Sequence, residues 1–374
     1  MSGSGTSTKK AAVVLLSTHK KLATHEIVVH QALAEKIAGL LGTQFEGLYD
    51  EAIHMQSGLY YVPSDTLIGK QENSALHIED ANDLFGGLIA QPFMATKAIS
   101  HPLIPNATAK PPGWSEQFDE QTTDAVLSGY TVFNQQDADR AGRLILANGP
   151  VRIKPVLATA GRGQIVAHDQ AELDQAIAQQ DMAEVETWGL VLEEDLTDVV
   201  TLSVGQVNVA GITASYHGTQ CLTQDNQGET VYGGSTLWVV RGDYQTLLKQ
   251  PLEESVRRAI TQAMRYEQAA FECFPDLIAS RRNYDIAQGT NAQGERCSGV
   301  LEQSWRIGGA SAAEVEALLA FAADPDLQAI CASTHEIYGP TTLPAGANVL
   351  YEGDDPDVGF ITKFTQVQPY ERQQ

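Results

Sequence analysis

Residues 11–16, AAVVLL, form an unbroken apolar run near the start of a 374-residue chain. A strand without a polar face has to be covered on both sides, as in a parallel sheet between helices. The next segment fits that demand. Thr24 can cap a helix whose apolar positions Val29, Leu33, Ile37 and Leu40 recur at helical spacing, and Gly42 ends it. Strand followed by helix opens an α/β layer, and residues 86–90 read as a further strand of that sheet.

The pattern then changes. Pro102, Pro105, Pro111 and Pro112 mark residues 101–118 as loop or linker. A helix starts at Asn134, carries Ala138, Ala141 and Ile145 on one face, and stops at Asn148-Gly149-Pro150. Residues 151–154 read as a strand, followed by a glycine-bearing loop at 158–163. Asp169 and Glu172 resemble a capping box for the helix of Leu173 and Ile177, and 189–193 is the next strand. Residues 199–216 and 235–241 are β-rich. The longest helix should span 253–271, with Val256, Ile260, Met264 and Phe271 on one face. Segments 284–289 and 298–302 pair as a hairpin around 291–294. Ser311 and Glu314 form a capping box ahead of Val315, Leu318, Leu319 and Ala322. Beyond Asp324 the patterning weakens, and residues 354–357 read as a solvated acidic loop.

Charge narrows the function classes. Lys plus Arg number 24 against 47 Asp plus Glu, a net charge of −23, which argues against a general nucleic-acid or anionic-membrane binder. An apolar share of 43% excludes general disorder. Cys221, Cys273, Cys297 and Cys331 form no CxxC pair and have no His at zinc-ligand spacing, so a reduced, cytoplasmic setting is expected. The run at 11–16 is far too short to span a membrane. Residues 1–10 read as a disordered leader rather than a secretory signal.

Four segments carry chemistry. In 151–164, VRIKPVLATAGRGQ, a strand delivers Lys154 beside a loop with Gly161, Arg162 and Gly163, where backbone amides can approach an anion. The segment is neither a P-loop nor GxGxxG, and a hairpin turn with a snorkelling lysine would use the same residues. In 189–196, GLVLEEDL, an apolar strand ends in acids; it suits a base-and-sugar site, or a strand running into solvent. Asp285 and Glu302 lie 17 apart; a four-residue loop would pair Asp285 with Val300 and leave Glu302 as a diagonal neighbour on the same sheet face. Two such carboxylates repel unless a cation lies between them, and hard oxygen ligands favour magnesium; an exposed pair on a solvated face is the plain alternative. Arg306, followed by Gly308-Gly309, suits phosphoryl stabilisation, and Arg282 is a further candidate for a substrate carboxylate. His19, His25 and His30 share no helix face well, which argues against a metal role. Gly233-Gly234-Ser235-Thr236 could contact a substrate, but reads more readily as a turn into a strand. No local signature of Ser-His-Asp or Cys-His catalysis is present.

In order and spacing, these segments resemble the ATP-grasp superfamily over about residues 94–320. LEQSWRIGG looks like its E-x-N-x-R-x-G-G metal motif, here Glu302, Ser304, Arg306, Gly308 and Gly309, with Ser304 where the family usually has Asn. ATKAISHPL, RRNYDIAQG and VLEQSWRIGGAS look like a bacterial family labelled biotin-carboxylase-like. The resemblance implies an ATP-grasp fold of α/β and α+β parts with an N-terminal Rossmann-like domain at 11–93. It further implies a linker and lid subdomain at 94–195, a catalytic subdomain at 196–322 and a tail at 323–374 packed on the core. ATP would be held by Lys97, Lys154, Gly161, Arg162 and Gly163, and by a hinge of Glu193, Glu194, Asp195 and Leu196. Asp285, Glu302 and Ser304 would hold Mg, and Arg306 would stabilise the transferring phosphoryl group. The implied activity is ligation of a small-molecule carboxylate to a nucleophile through an acylphosphate. Residues 199–201, Val-Val-Thr, stand where the family often has an acid, which argues against biotin carboxylation itself. A nucleotide-binding module without turnover and a small-molecule kinase are the competing expectations. The arginine-bearing helix offers a face for a homodimer.

Overall fold

The computed structural model describes residues 9–18, 22–54, 58–158 and 163–370. The architecture is mixed α/β and α+β. Strand Ala12–Leu16 is central in a parallel three-stranded sheet, between Gln44–Leu48 and Tyr60–Pro63. Its buried apolar run is covered as expected, with helix Thr24–Leu41 packed on one side. Thr24 is the first helical residue rather than the cap; the cap position is Ala23, whose N–H is met by the Glu26 carboxylate. Gly42 closes the helix in the left-handed region at φ 66°.

The run at 86–90 does not extend this sheet. Strand Gly87–Ile89 pairs in parallel with Leu67–Ile68 and antiparallel with Ile278–Ala279, forming a separate three-stranded sheet. Only three of its residues are in ladder positions, too few for sequence alone to show which neighbour they find.

A four-stranded antiparallel sheet follows, ordered Gly129–Val132, Leu190–Glu194, Val151–Pro155, Ile165–Ala167. Helices Gln135–Leu146 and Gln170–Ala178 cover one face of it through Ala138, Ala141, Ile145, Leu173 and Ile177. Asp169 caps its helix by accepting from Glu172 N–H at 2.9 Å, and Glu172 accepts from His168 N–H, one residue before the box position. Ahead of this sheet, helix Glu116–Thr122 carries Asp119, which accepts from Trp114 Nε1 at 3.0 Å. Burial lifts its carboxyl to about 7, the Trp114 bond notwithstanding. A raised folded value makes ionisation a liability that is absent below the unfolded range and grows as pH rises toward 7. Asp119→Asn should therefore raise the melting temperature at pH 8 and leave it nearly unchanged at pH 4, as read by differential scanning calorimetry.

The largest sheet has eight antiparallel strands, in the order Arg296–Ser304, Arg281–Thr290, Thr197–Val209, Ile212–Gln224, Thr230–Arg241, Ala329–Tyr338, Gly359–Pro369, Asn348–Asp355. Alternating side chains serve two cores. Val207, Ala214, Tyr216, Leu237, Val239 and Ala332 pack with helices Thr24–Leu41 and Ser311–Ala323. Leu202, Val204, Tyr284, Ile286 and Val300 pack with helix Glu254–Cys273. On that helix Val256 and Ile260 are buried, but Phe271 is exposed, and Arg282 lies over its ring. The weakly patterned stretch after Asp324 supplies three strands of this sheet. Residues 354–357 are not a solvated loop throughout: Asp355 is buried and accepts from the N–H groups of His25, Asp357 and Val358.

Candidate functional site

The hairpin carrying Asp285 and Glu302 closes with a five-residue loop, Thr290 pairing with Arg296, not with the four-residue loop expected. That change alone would put the two acids on opposite faces. A bulge at Leu301 restores them, since Ile286 pairs with Val300 while Asp285 pairs with Glu302 directly. The acids are thus cross-strand partners rather than diagonal neighbours. Asp285 Oδ1 accepts from Ser203 Oγ at 2.9 Å, Gln220 Nε2 at 2.9 Å and Asn283 Nδ2 at 3.2 Å. Burial and the adjacent Glu302 charge push its carboxyl above the ordinary range despite these donors. The pair fits a divalent cation, whose charge would relieve that repulsion. Among the described residues no group of three or more His, Cys, Asp or Glu could hold a metal unaided. Two carboxylates are the usual protein share for magnesium when phosphates supply further ligands.

Glu302 Oε2 also meets Lys97 Nζ at 3.2 Å. The same amine donates to the Ala158 carbonyl at 3.0 Å, at the start of the glycine-bearing loop. Lys97 sits on a 3₁₀ turn, Lys97–Ser100, and is buried. One lysine therefore joins the four-stranded sheet to the acid pair.

Lys154 and Glu193 form an ion pair on neighbouring strands, both under 5% exposed. His101 Nε2 lies 3.0 Å from the other Glu193 oxygen. Burial alone would raise the Glu193 carboxyl, but the Lys154 charge and the His101 contact overcome it and hold it at about 2. His101 and Lys97 lie close together in sequence, so this triad and the Lys97–Glu302 contact share one short segment. Both Glu193 oxygens are occupied, one by Lys154 and one by His101. Glu194 Oε1 accepts from Ser128 N–H at 3.1 Å, and Asp195 Oδ1 accepts from Arg152 Nε at 2.9 Å. Leu196 packs with Leu127 and Ala287. A cavity of about 110 Å³ lies here, lined by Tyr130, Gly149, Glu194, Asp195 and Gln293 among others. It is smaller than the ~300–1,000 Å³ of common small-molecule sites.

Not every candidate lies beside the acid pair. Arg282 lies on the opposite sheet face from Asp285, where Glu267 Oε2 takes its Nε at 2.9 Å and the Ala279 carbonyl takes its Nη1. Alternation along the strand sends neighbouring residues to opposite faces, so Arg282 cannot join Asp285. Ser304 shares the face of Glu302, but its hydroxyl already accepts from Arg281 Nη1 at 3.1 Å. Arg306 is partly exposed, with Nε 3.6 Å from Asp65 Oδ1 in the N-terminal part. Gly308 and Gly309 lead into helix Ser311–Ala323, and a Cβ on Gly309 would stand 2.6 Å from the Tyr232 ring. Gly163 is in the left-handed region at φ 69°, while Gly161 and Arg162 lie outside the described residues, as does His19.

The sequence reading missed His101, Ser203, Gln220 and Asp65, all long-range partners with no local signal, and Asn283, two residues before Asp285 on the same strand face. It misread Glu314. Ser311 Oγ accepts from Gly308 N–H, and Glu314 is fully buried against the Arg281 guanidinium instead of capping its helix.

Among the described residues no helix is long and apolar enough to cross a membrane. No curated protein matches the chain. Similar solved structures include D-alanyl-alanine synthetase A from Vibrio cholerae, with 11% identity over 80% of this chain and 89% of that one and a TM-score of 0.42. Another is phosphoribosylamine–glycine ligase from Thermotoga maritima, with 11% identity, 97% and 93% covered and a TM-score of 0.48. A third is a RimK domain ATP-grasp protein from Sphaerobacter thermophilus, with 10% identity, 82% and 98% covered and a TM-score of 0.35. A family model described as "Protein of unknown function (DUF3182)" matches residues 13–365, and the chain belongs to that family.

Proposed function

We propose that the chain is an ATP- and magnesium-dependent carboxylate ligase of the ATP-grasp kind. The observation that carries this reading is Lys97, whose amine touches both the acid pair, through Glu302, and the glycine-bearing loop, through the Ala158 carbonyl. A triphosphate needs cationic groups along its length and a divalent ion at its end, and Lys97, Lys154, Asp285 and Glu302 supply that order of charge. Magnesium would be held by Asp285 and Glu302 and would neutralise charge on the terminal phosphates. Lys154 would bind the inner phosphates after exchanging part of its contact with Glu193, and Arg306 would meet the phosphoryl group in transfer. The contacts of Lys97 with Ala158 and Glu302, and of His101 with Glu193, draw the four-stranded sheet against the rest of the chain, so this sheet would act as a lid that opens for the nucleotide.

In the reaction, a substrate carboxylate oxygen attacks the γ-phosphorus and ADP leaves. A nucleophile then attacks the acyl carbon and inorganic phosphate leaves. The residues nearest the transfer act by position and charge rather than by covalent chemistry. The finer version of this reading is a ligase of the carboxylate–amine or carboxylate–thiol type. The test presents the full chain with magnesium, ATP, hydroxylamine and a library of small carboxylic acids. ADP release with a matching hydroxamate is the expected result, because hydroxylamine intercepts an acylphosphate. A stable phosphoester would make the chain a kinase. Nucleotide binding without ADP release under any acid would make it a binding module, the reading that the engaged Ser304 hydroxyl favours.

A further inference from the structure

Glu314 has no part in the roles assigned above, yet it is a fully buried carboxylate. Its oxygens receive Arg281 Nε at 2.9 and 3.1 Å and Nη2 at 2.7 Å, a fork-on-carboxylate geometry. The remaining arm of Arg281 points toward the metal segment. Nη1 donates to Ser304 Oγ at 3.1 Å, to the Ser304 carbonyl at 3.1 Å and to the Arg306 carbonyl at 2.7 Å. Those acceptors span the stretch between Glu302 and Gly308.

A second branch runs through Tyr216. Its hydroxyl is 2.5 Å from Glu314 Oε1 and 2.8 Å from Asn283 Oδ1, and its single hydrogen serves one of them at a time. Asn283 in turn donates to Asp285 Oδ1 at 3.2 Å. Tyr216 reaches across the sheet because Gly205 stands opposite; a Cβ there would lie 2.3 Å from the hydroxyl. Glu314 is thus connected to both acids' surroundings, to Ser304 and Arg306 through Arg281 and to Asp285 through Tyr216 and Asn283.

We infer that Glu314 is a positioning residue for the magnesium–triphosphate end of the site, acting through Arg281 and Tyr216. A purely structural ion pair needs neither the Nη1 arm on Ser304 and Arg306 nor the tyrosine link toward Asp285. Its place on the first turn of helix Ser311–Ala323, directly after Gly308-Gly309, couples the seating of that helix to the corner that presents Arg306. The inference rests on the ligase reading, since it needs a magnesium nucleotide in the cleft.

The test compares magnesium–ATP with adenosine, which has no phosphates, by calorimetry on the full chain. Glu314→Gln and Tyr216→Phe should each weaken magnesium–ATP roughly 10- to 100-fold, the usual effect of removing an outer-shell partner. Adenosine affinity should stay within about twofold, because the hinge is untouched. Equal weakening of both ligands, or of neither, overturns the inference while the ligase reading stands. A wild-type chain that binds neither ligand overturns both. If Glu314→Gln fails to fold, Tyr216→Phe decides alone, since it keeps the Arg281–Glu314 pair.

Discussion

Lys154→Met should cost about 3–5 kcal/mol of stability at pH 7, the range for removing one partner of a buried ion pair. The change leaves Glu193 buried with only His101 beside it. Urea unfolding followed by circular dichroism reads the loss. The double variant Lys154→Met, Glu193→Gln should recover most of it, because the charge left stranded is removed with its partner. The pH dependence has a definite sign. Glu193 is held at about 2 in the folded chain against an ordinary 4.5. Its contribution is therefore complete above the ordinary value and disappears as pH falls toward 2. The gap between wild type and Lys154→Met should be widest near neutrality and shrink steadily through that window. A gap independent of pH would show that packing of the lysine stem, not its charge, carries the effect.

Glu302→Gln should behave in the opposite way in the free protein. Like charges at Asp285 and Glu302 oppose each other, and Glu302 raises the Asp285 carboxyl. Removing one charge relieves that repulsion, while Lys97 keeps the Ala158 carbonyl. The melting temperature without ligands should hold steady or rise. The added stability from magnesium–ATP should largely vanish, and turnover in the hydroxamate assay should fall roughly 100- to 1,000-fold, the range for one lost electrostatic stabiliser. Such sites trade stability for function. A fall in ligand-free melting temperature matching that of Lys154→Met would instead make Glu302 a structural residue.

Local signals and tertiary partners were legible to different degrees. The strand at 11–16, the Asn134 and Asp169 caps and the 254–273 helix face, apart from the exposed Phe271, could be read because each depends on residues within one or two turns. The acid pair was also legible, but by a compensation. The longer loop and the bulge at Leu301 each shift the register by one, and together they return Glu302 to the face of Asp285. Glu314 was misread because S-x-x-E has the same letters whether the acid reaches back to its helix start or into the core. Its partner Arg281 lies 33 residues away on a strand, and no spacing rule connects them. The same holds for His101 and Glu193, 92 residues apart. Arg282 became a candidate for a substrate carboxylate through its nearness in sequence to Asp285, although their separation of three puts them on opposite faces.

Titrating magnesium–ATP into the full chain, with heat and melting temperature followed together, tests the central claim most directly. The account predicts saturable binding that needs the metal and adds roughly 2.7 kcal/mol of apparent stability at a hundred times the dissociation constant. It also predicts that Asp285→Asn with Glu302→Gln abolishes this metal-dependent binding. A folded wild-type chain that gives no heat and no shift at millimolar magnesium–ATP would contradict it.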